Sequence, residues 1–244
     1  MVNEPLVRIT ELANCDELKP FIDIFAKVKA SFGIADDLAL GQLHLGLDTK
    51  KVNEFRLAAI SDLNSIRWAD ILFKLLSKQV ESLLGPDLLI QKKINLSIQL
   101  PNDTSSVLAA HSDCNSGDSA YQLNVWIPLT PAFSTNSTFV LDKERSRRYY
   151  KEIINNNAVS ANPAEHDFIR VDYGSAVLFP PSLIHGNVLN TTNSTRVSLN
   201  VRCKSIYAPG ALSGSLERQV GAYYQLWRRS PLSVWAEEVE GMLQ

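Results

Sequence analysis

A regular alternation of apolar and polar residues begins near residue 92 and continues through the middle of the chain. Ile94, Leu96, Ile98 and Leu100 are apolar at a period of two, which predicts a β-strand with one buried face. Similar segments recur at short intervals, separated by clusters of Pro, Gly, Asn and Ser that favour turns. The further predicted strands are 122–129, 137–141, 168–171, 175–179 and 196–203. Short strands at this spacing predict an antiparallel sandwich or barrel such as a jelly roll.

Helical periodicity flanks this β segment on both sides. The predicted helices are 16–32, about 61–84, the charged stretch 142–152, and a C-terminal segment from Gly214. We therefore expect one domain over residues 1–244, mainly β with flanking helices. Its predicted parts are a helical N-terminal layer at 1–90, a β core at 91–207 and C-terminal helices at 208–244.

Composition and charge argue against nucleic-acid binding and membrane insertion. Hydrophobic residues make up 45% of the 244 residues and charged residues 20%, which is typical of a globular protein. The net charge of −2 provides no general attraction to nucleic acid, and no apolar run approaches the roughly 20 residues that span a bilayer. The first residues lack a secretory-signal pattern, and three widely separated cysteines are typical of reduced thiols. We expect a cytoplasmic protein whose partner is a small molecule, with neither nucleic-acid binding nor membrane insertion.

Three side chains are candidate metal ligands, and two of them are among only four histidines in the chain. His111 precedes Asp113 by two positions, which places both side chains on one side of an extended segment. His185 follows a predicted strand and a Pro-Pro turn, and Gly186 leaves room for another group to approach closely. Two histidines and one carboxylate form the facial triad of non-haem Fe(II) oxygenases. The positions left open on such a metal suit a chelating α-keto acid and O2.

An arginine and a serine on the last predicted strand offer a second anchor for such an acid. Arg196 opens this strand, and Ser198 follows two positions later on the same face. A guanidinium can hold a carboxylate through two parallel hydrogen bonds, and a hydroxyl can add a third. The pair would therefore bind the distal carboxylate of a keto acid whose other end chelates the metal.

Four segments resemble the Fe(II)/2-oxoglutarate-dependent dioxygenases of double-stranded β-helix fold. They are IQLPND at 98–103, HSD at 111–113, NVWIPLTPAFSTN at 124–136 and HGNVLNTTNSTRVSLNVR at 185–202. The resemblance is to the phytanoyl-CoA dioxygenase-like group. It is closer to the 2-oxoglutarate-Fe(II) oxygenases of bacterial carbohydrate biosynthesis clusters, including the streptomycin-biosynthesis type, and covers roughly residues 92–205.

The resemblance implies a cupin-like jelly roll and a hydroxylase that uses Fe(II), 2-oxoglutarate and O2. The implied iron ligands are His111, Asp113 and His185, and the implied co-substrate residues are Arg196, Ser198 and Asn124. A carboxylate at position 113 favours hydroxylation over halogenation, because related halogenases keep a small residue there. The family often has acidic residues where this chain has Gln122 and Asn200, a difference that bears on the substrate.

The residues with the cavity-facing parity on three predicted strands are mostly polar. They are Asn95, Ser97 and Gln99, then Gln122, Asn124 and Trp126, then Ser198, Asn200 and Arg202. Because an unpaired buried amide costs about 1–3 kcal/mol, such a face suits a hydroxyl-rich ligand. We therefore expect a sugar or a sugar-derived substrate. Its predicted contacts are Trp126, Asn187, Gln99 and Arg202.

Several alternatives stay open. The same chemistry could act on a small amino acid or a lipid-like acid, or the chain could be a non-catalytic metal-binding β-barrel module. Asn124 and Trp126 could line a pocket or only fill the barrel, and Arg202 could be a solvated strand end. The basic cluster between Arg145 and Lys151 could contact a phosphate or form the solvent-facing side of a helix.

Overall fold

The computed structural model describes residues 5–155, 162–209 and 221–243. The strands are β1 (Arg8–Glu11), β2 (Leu88–Gln91), β3 (Asn95–Gln99), β4 (Gln122–Pro128), β5 (Phe139–Val140), β6 (Ser175–Phe179), β7 (His185–Gly186), β8 (Arg196–Ser205) and β9 (Tyr224–Arg228). The α-helices are α1 (Lys19–Ser31), α2 (Val52–Leu63), α3 (Trp68–Leu84), α4 (Lys143–Ile154) and α5 (Pro231–Leu243).

One antiparallel sheet contains most of the strands. Within the described residues its order is β1-β6-β4-β8-β2-β9, and β3 pairs with β8 outside this path. A second, small sheet joins β5 to β7, and isolated bridges lie beside it, one of them between His111 and His185. The fold is therefore mainly β, antiparallel and jelly-roll-like, with helices, as the strand pattern predicted.

The central strands β4 and β8 have two faces of opposite character. Leu123 and Val125 of β4 join the main hydrophobic core together with Leu199 of β8. The same core contains side chains of α1, α2 and α3, such as Phe21, Phe55 and Leu72. Burying each of these large side chains stabilises the fold by about 1.5–3 kcal/mol. Because side chains alternate along a strand, the polar residues of β4 and β8 lie on the other face, which bears the candidate site.

The predicted helix over 61–84 begins later than expected, and its first three residues belong to the end of a separate helix, α2, that was not predicted. α2 ends at Leu63, and α3 begins at Trp68. The side chain of Asn64 explains the break, because its amide donates to the Ile94 carbonyl at 3.1 Å and its Oδ1 accepts from the Ile94 N–H at 2.9 Å. A contact with a distant part of the chain ends the helix here, and local periodicity does not register such a contact.

Two other predicted helices are confirmed. α1 lies within the predicted 16–32 segment and follows a 3-10 turn over Cys15–Leu18. α4 matches the charged stretch, and the Asp142 carboxylate caps it by accepting from the Arg145 N–H at 2.8 Å. In contrast, the predicted strand 168–171 forms only isolated bridges, from Phe168 to Phe139 and from Val171 to Ala132.

The prediction of helices alone over 208–244 is wrong for Tyr224–Arg228. This segment is β9, which pairs antiparallel with β2. All four residues of β2 are buried, so this strand lacks the alternation by which strands were predicted. α5 confirms the final part of the prediction, whereas residues 210–220 lie outside the described residues. The division of the chain into one domain with three parts stays a prediction.

None of the helices in the described ranges is both long and apolar enough to cross a membrane.

Candidate metal centre

The three predicted metal ligands come together in the structure. His111 and His185 form an antiparallel bridge in which each backbone N–H donates to the other residue's carbonyl at 2.9 Å. One ligand atom from each of His111, Asp113 and His185 lies within 4.8 Å of the others. The Nε2 atoms of His111 and His185 lie 3.5 and 3.7 Å from the two Asp113 oxygens. Such separations are compatible with atoms that each lie about 2.0–2.2 Å from one ion.

Both histidines direct Nε2 toward Asp113, where a metal ion would bind. The Nδ1 of His111 lies 2.8 Å from the Ala109 carbonyl, and the Nδ1 of His185 lies 2.8 Å from the Leu183 carbonyl. A carbonyl only accepts, so each Nδ1 carries the proton and each Nε2 keeps a free lone pair. Burial lowers the pKa of His185, which keeps this imidazole neutral as a metal ligand requires. The donor set therefore fits a divalent iron ion.

The Asp113 carboxylate is buried, charged and held at both oxygens. Asn124 donates to Oδ2 at 2.8 Å, and the Arg202 Nη2 lies 3.1 Å from Oδ1. Burial alone would raise the pKa of Asp113, but the charge of Arg202 and the hydrogen bond from Asn124 oppose it, and the pKa is held well below its usual range. The carboxylate is therefore ionised and fixed in orientation.

Arg196 is a buried cation with no acidic partner among the described residues. Only 3% of the residue is exposed, and burial lowers the pKa of its guanidinium to about 10. The guanidinium donates to the Gln99 Oε1 at 3.1 Å, the Ser198 Oγ at 3.1 Å and the Ser97 Oγ at 3.3 Å. These neutral acceptors leave its charge uncompensated, and a buried charge is costly unless it is paired. The position is suited to a bound anion.

The predicted substrate residues have protein partners. The Gln99 amide donates to the Val188 carbonyl at 2.6 Å while its oxygen accepts from Arg196. Asn187 accepts from the Leu108 N–H and donates to the Ser106 carbonyl, so it holds the segment that leads to His111.

Trp126 fills space between the sheets instead of lying open. It is 4% exposed and packs with Val177, Phe179 and Leu183. The Arg196 Cζ lies 5.8 Å from the centroid of its ring, a distance at which cation and ring attract. Trp126 therefore forms an apolar wall beside the buried guanidinium.

The basic cluster on α4 is partly neutralised. Arg145 pairs with Asp167 at 2.5 Å, and Arg147 pairs with Glu144 at 2.7 Å. Arg148 and Lys151 are exposed. These contacts favour the solvent-facing helix over a phosphate site.

Two residues of the site were not predicted from the sequence. Asp118, whose side chain is fully buried, lies 3.0 Å from the Arg202 Nε, and the Tyr223 hydroxyl accepts from the Arg202 Nη1 at 3.1 Å. Asp118 stands in the loop after Asp113, and Tyr223 directly precedes β9. Neither carries a local pattern that would distinguish it from other loop residues.

No protein-family model matches this chain. It is 26% identical over 164 residues to the streptomycin biosynthesis protein StrG of Streptomyces griseus. This alignment covers 64% of this chain and 70% of StrG. Among solved structures, it is similar to the nickel complex of the non-haem monooxygenase ThoJ, with a TM-score of 0.52 and 16% identity over 93% of this chain and 81% of that one. The apo form of ThoJ gives a TM-score of 0.51 at the same identity, over 93% of this chain and 80% of that one.

The likeness to ThoJ shows a shared fold. This chain thus combines a fold shared with ThoJ and three side chains that could hold one metal ion.

Proposed function

We propose that this protein is an Fe(II)- and 2-oxoglutarate-dependent non-haem oxygenase. The observation that carries the proposal is the pairing of two features in one interior. One ligand atom from each of His111, Asp113 and His185 lies close to the others. Arg196 lies on the same face of the sheet as Asn124 and Arg202, which contact Asp113, and it is a buried cation with which no acidic residue in the described ranges pairs. A metal site alone would leave Arg196 unexplained, whereas a dicarboxylate that chelates the metal at one end would compensate this charge at the other.

Each residue has a defined task in this proposal. Fe(II), together with 2-oxoglutarate and O2, supplies the oxidation of an unactivated C–H bond when all are bound. His111 and His185 would each bind iron through Nε2, and Asp113 through a carboxylate oxygen. Arg196 would bind the distal carboxylate of 2-oxoglutarate, with Ser198 as a further donor.

Two more residues would shape the environment of the co-substrate. Trp126 would exclude water from the ion pair at Arg196, which strengthens that pair. Asn124 would act on the co-substrate indirectly, because its amide nitrogen is bonded to Asp113.

We further propose that the substrate is a sugar or a sugar-derived metabolite, and that the outcome is hydroxylation. Among the described residues, three buried polar atoms of β4 and β8 lack a hydrogen-bond partner: Gln122 Nε2, Asn124 Oδ1 and Asn200 Oδ1. These atoms suit a ligand with many hydroxyl groups, since an unpaired buried polar atom costs about 1–3 kcal/mol. The similarity to StrG, a streptomycin biosynthesis protein by name, supports the same substrate class.

The test is iron-dependent formation of succinate from 2-oxoglutarate with a panel of candidate substrates. The panel contains nucleotide sugars, aminoglycosides, free sugars, amino acids and acyl-CoA thioesters, and product masses are measured in parallel. We expect stimulation by a carbohydrate and a product heavier by one oxygen atom. Hydroxylation of an acyl-CoA with no response to any sugar would contradict the substrate proposal but leave the oxygenase proposal standing.

A further inference from the structure

We infer that Arg202 is a positioning residue for Asp113, held in place by Asp118 and Tyr223, and does not bind substrate. The inference rests on the proposed metal site, since it concerns how that site's carboxylate ligand is oriented. It replaces the substrate contact predicted for Arg202 from strand parity.

All three nitrogens of the Arg202 guanidinium are engaged by the protein. Nη2 lies 3.1 Å from the Asp113 Oδ1, Nε lies 3.0 Å from the Asp118 Oδ2, and Nη1 donates to the Tyr223 hydroxyl at 3.1 Å. Only 13% of the Arg202 side chain is exposed, and its two acidic partners are 7% and 0% exposed. Two ion pairs and one hydrogen bond restrict the orientation of this planar guanidinium, so it can restrict the orientation of the Asp113 carboxylate in turn.

Arg202 and Asn124 hold Asp113 from two adjacent strands. They are directly opposed in the register of β4 and β8. Arg202 contacts one Asp113 oxygen and Asn124 the other, which prevents rotation of the carboxylate about its Cβ–Cγ bond. Each oxygen keeps a lone pair for a metal ion.

Asp118 makes this arrangement compatible with a nearby divalent cation. An uncompensated guanidinium so close to the metal position would repel the ion, and the repulsion would be strong in a buried site. The buried carboxylate of Asp118 pairs with the Nε of Arg202, while Asp113 pairs with its Nη2. Arg202 can then orient Asp113 without adding net positive charge to the site.

The direction in which metal affinity changes when Arg202 is neutralised distinguishes a positioning residue from a cation that is merely nearby. If Arg202 were only a neighbouring cation, its neutralisation would remove a repulsion and tighten metal binding. If it positions Asp113, its loss frees the carboxylate and weakens metal binding. Loss of a group that orients a metal ligand typically costs 10–100-fold in metal affinity or activity.

The experiment is anaerobic titration of the full chain with Co(II), followed by the visible absorption of the bound ion, which reports coordination geometry. The variants are Arg202→Gln, Arg202→Lys and Asp118→Asn. Arg228→Gln is the matched control, because it also removes an arginine from an ion pair, that with Glu81 of α3. Thermal unfolding of each metal-free variant shows whether the fold is retained.

We expect Arg202→Gln to weaken Co(II) binding by 10–100-fold and to change the spectrum. Arg202→Lys should restore part of the affinity, since an ammonium can pair with Asp113 but cannot reproduce the fork. Asp118→Asn should also weaken binding, and Arg228→Gln should not. If Arg202→Gln does not fold, Arg202→Lys and Asp118→Asn decide the question.

Unchanged or tighter Co(II) binding with the wild-type spectrum, in the folded Arg202 and Asp118 variants, would overturn the inference. A wild-type chain that binds no Co(II) would instead contradict the proposed metal site itself.

Discussion

Asn124 and Arg202 face each other across β4 and β8, and each holds one oxygen of Asp113. The arrangement depends on strand register, because a slip of one residue would turn Val125 or Val201 toward Asp113 instead. Apolar side chains of those two residues lie in the core on the opposite face. The packing that determines the register therefore also builds the candidate metal site.

The first prediction concerns the carboxylate ligand. Asp113→Ala should abolish stable Fe(II) binding, because it removes the only charged ligand of the three and leaves Arg202 facing the ion. Equilibrium dialysis with Fe(II) under anaerobic conditions measures this, with the exposed Asp23→Ala as the control. Full retention of iron by Asp113→Ala would exclude Asp113 as a ligand.

The second prediction concerns the co-substrate anchor. Arg196→Lys keeps the charge but loses the planar fork, so affinity for 2-oxoglutarate should fall by one to two decades, about 1.4–2.8 kcal/mol. Titration of the anaerobic Fe(II)-bound variant with 2-oxoglutarate gives the dissociation constant. Because Arg202 is already paired with two carboxylates, it should not substitute for Arg196. A dissociation constant equal to that of the wild type would show that another group binds the distal carboxylate.

The third prediction concerns Gly186, which follows the candidate metal ligand His185. A Cβ at this position would lie 2.7 Å from the Leu108 carbonyl oxygen and 3.0 Å from that of Ala109. Gly186→Ala must therefore displace the segment that leads to His111, and we expect metal affinity to fall by about tenfold or more. Gly241→Ala is the matched control, since nothing lies within 4 Å of its Cβ and alanine favours a helix such as α5. Wild-type affinity in Gly186→Ala would show that the displacement does not reach the ligands.

The fourth prediction separates packing from substrate contact at Trp126. Because this residue is buried among Val177, Phe179 and Leu183, Trp126→Ala should lower the free energy of unfolding by about 3–5 kcal/mol. Urea denaturation of the metal-free protein measures the change. Unaltered stability, combined with loss of activity toward a carbohydrate, would instead assign Trp126 to the substrate.

The fifth prediction concerns pH and the start of α5. The Asp87 carboxylate accepts hydrogen bonds from the Ser230 N–H at 2.8 Å and from the Ser230 hydroxyl at 3.0 Å. The hydrogen bond from the Ser230 N–H is the main cause that lowers the pKa of Asp87. A carboxyl whose pKa is lowered by folding stabilises the native state above its unfolded pKa of 3.8, and this contribution is lost as the pH falls through the lower native value. Asp87→Asn should therefore be less stable than the wild type at pH 6, and the difference should shrink below about pH 4. Thermal unfolding at both pH values checks this, and a difference that does not change with pH would contradict it.

The sequence allowed selection of the three candidate ligands because histidine is rare in this chain. With only four histidines, the spacing of His111 and Asp113 and the position of His185 after a strand restricted the choice. Their convergence did not require the exact local structure. Asp113 begins a 3-10 turn over Asp113–Ser116, where an extended segment was expected, yet its side chain still reaches the same point.

The hydrogen-bond and ion-pair partners that come from distant parts of the chain could not be predicted from the sequence. Strand parity placed Gln99 and Arg202 on the cavity face, but parity gives a side and not a hydrogen-bond partner. One partner of Arg202, Asp118, lies in a loop, and another, Tyr223, directly precedes β9. β9 was missed because its pairing with β2 is a contact between distant parts of the chain. The same reason applies to the break at Asn64, which depends on Ile94 of a distant segment.

The central claim is that one interior binds Fe(II) and 2-oxoglutarate together. The most direct measurement is anaerobic titration of the Fe(II)-loaded protein with 2-oxoglutarate, followed by the visible charge-transfer absorption that arises only when the keto acid chelates the metal. We predict saturable binding of one 2-oxoglutarate per chain, absent without metal and absent in His185→Ala. Binding of 2-oxoglutarate that is equally tight without metal, or no absorption change in the iron-loaded wild type, would contradict the account.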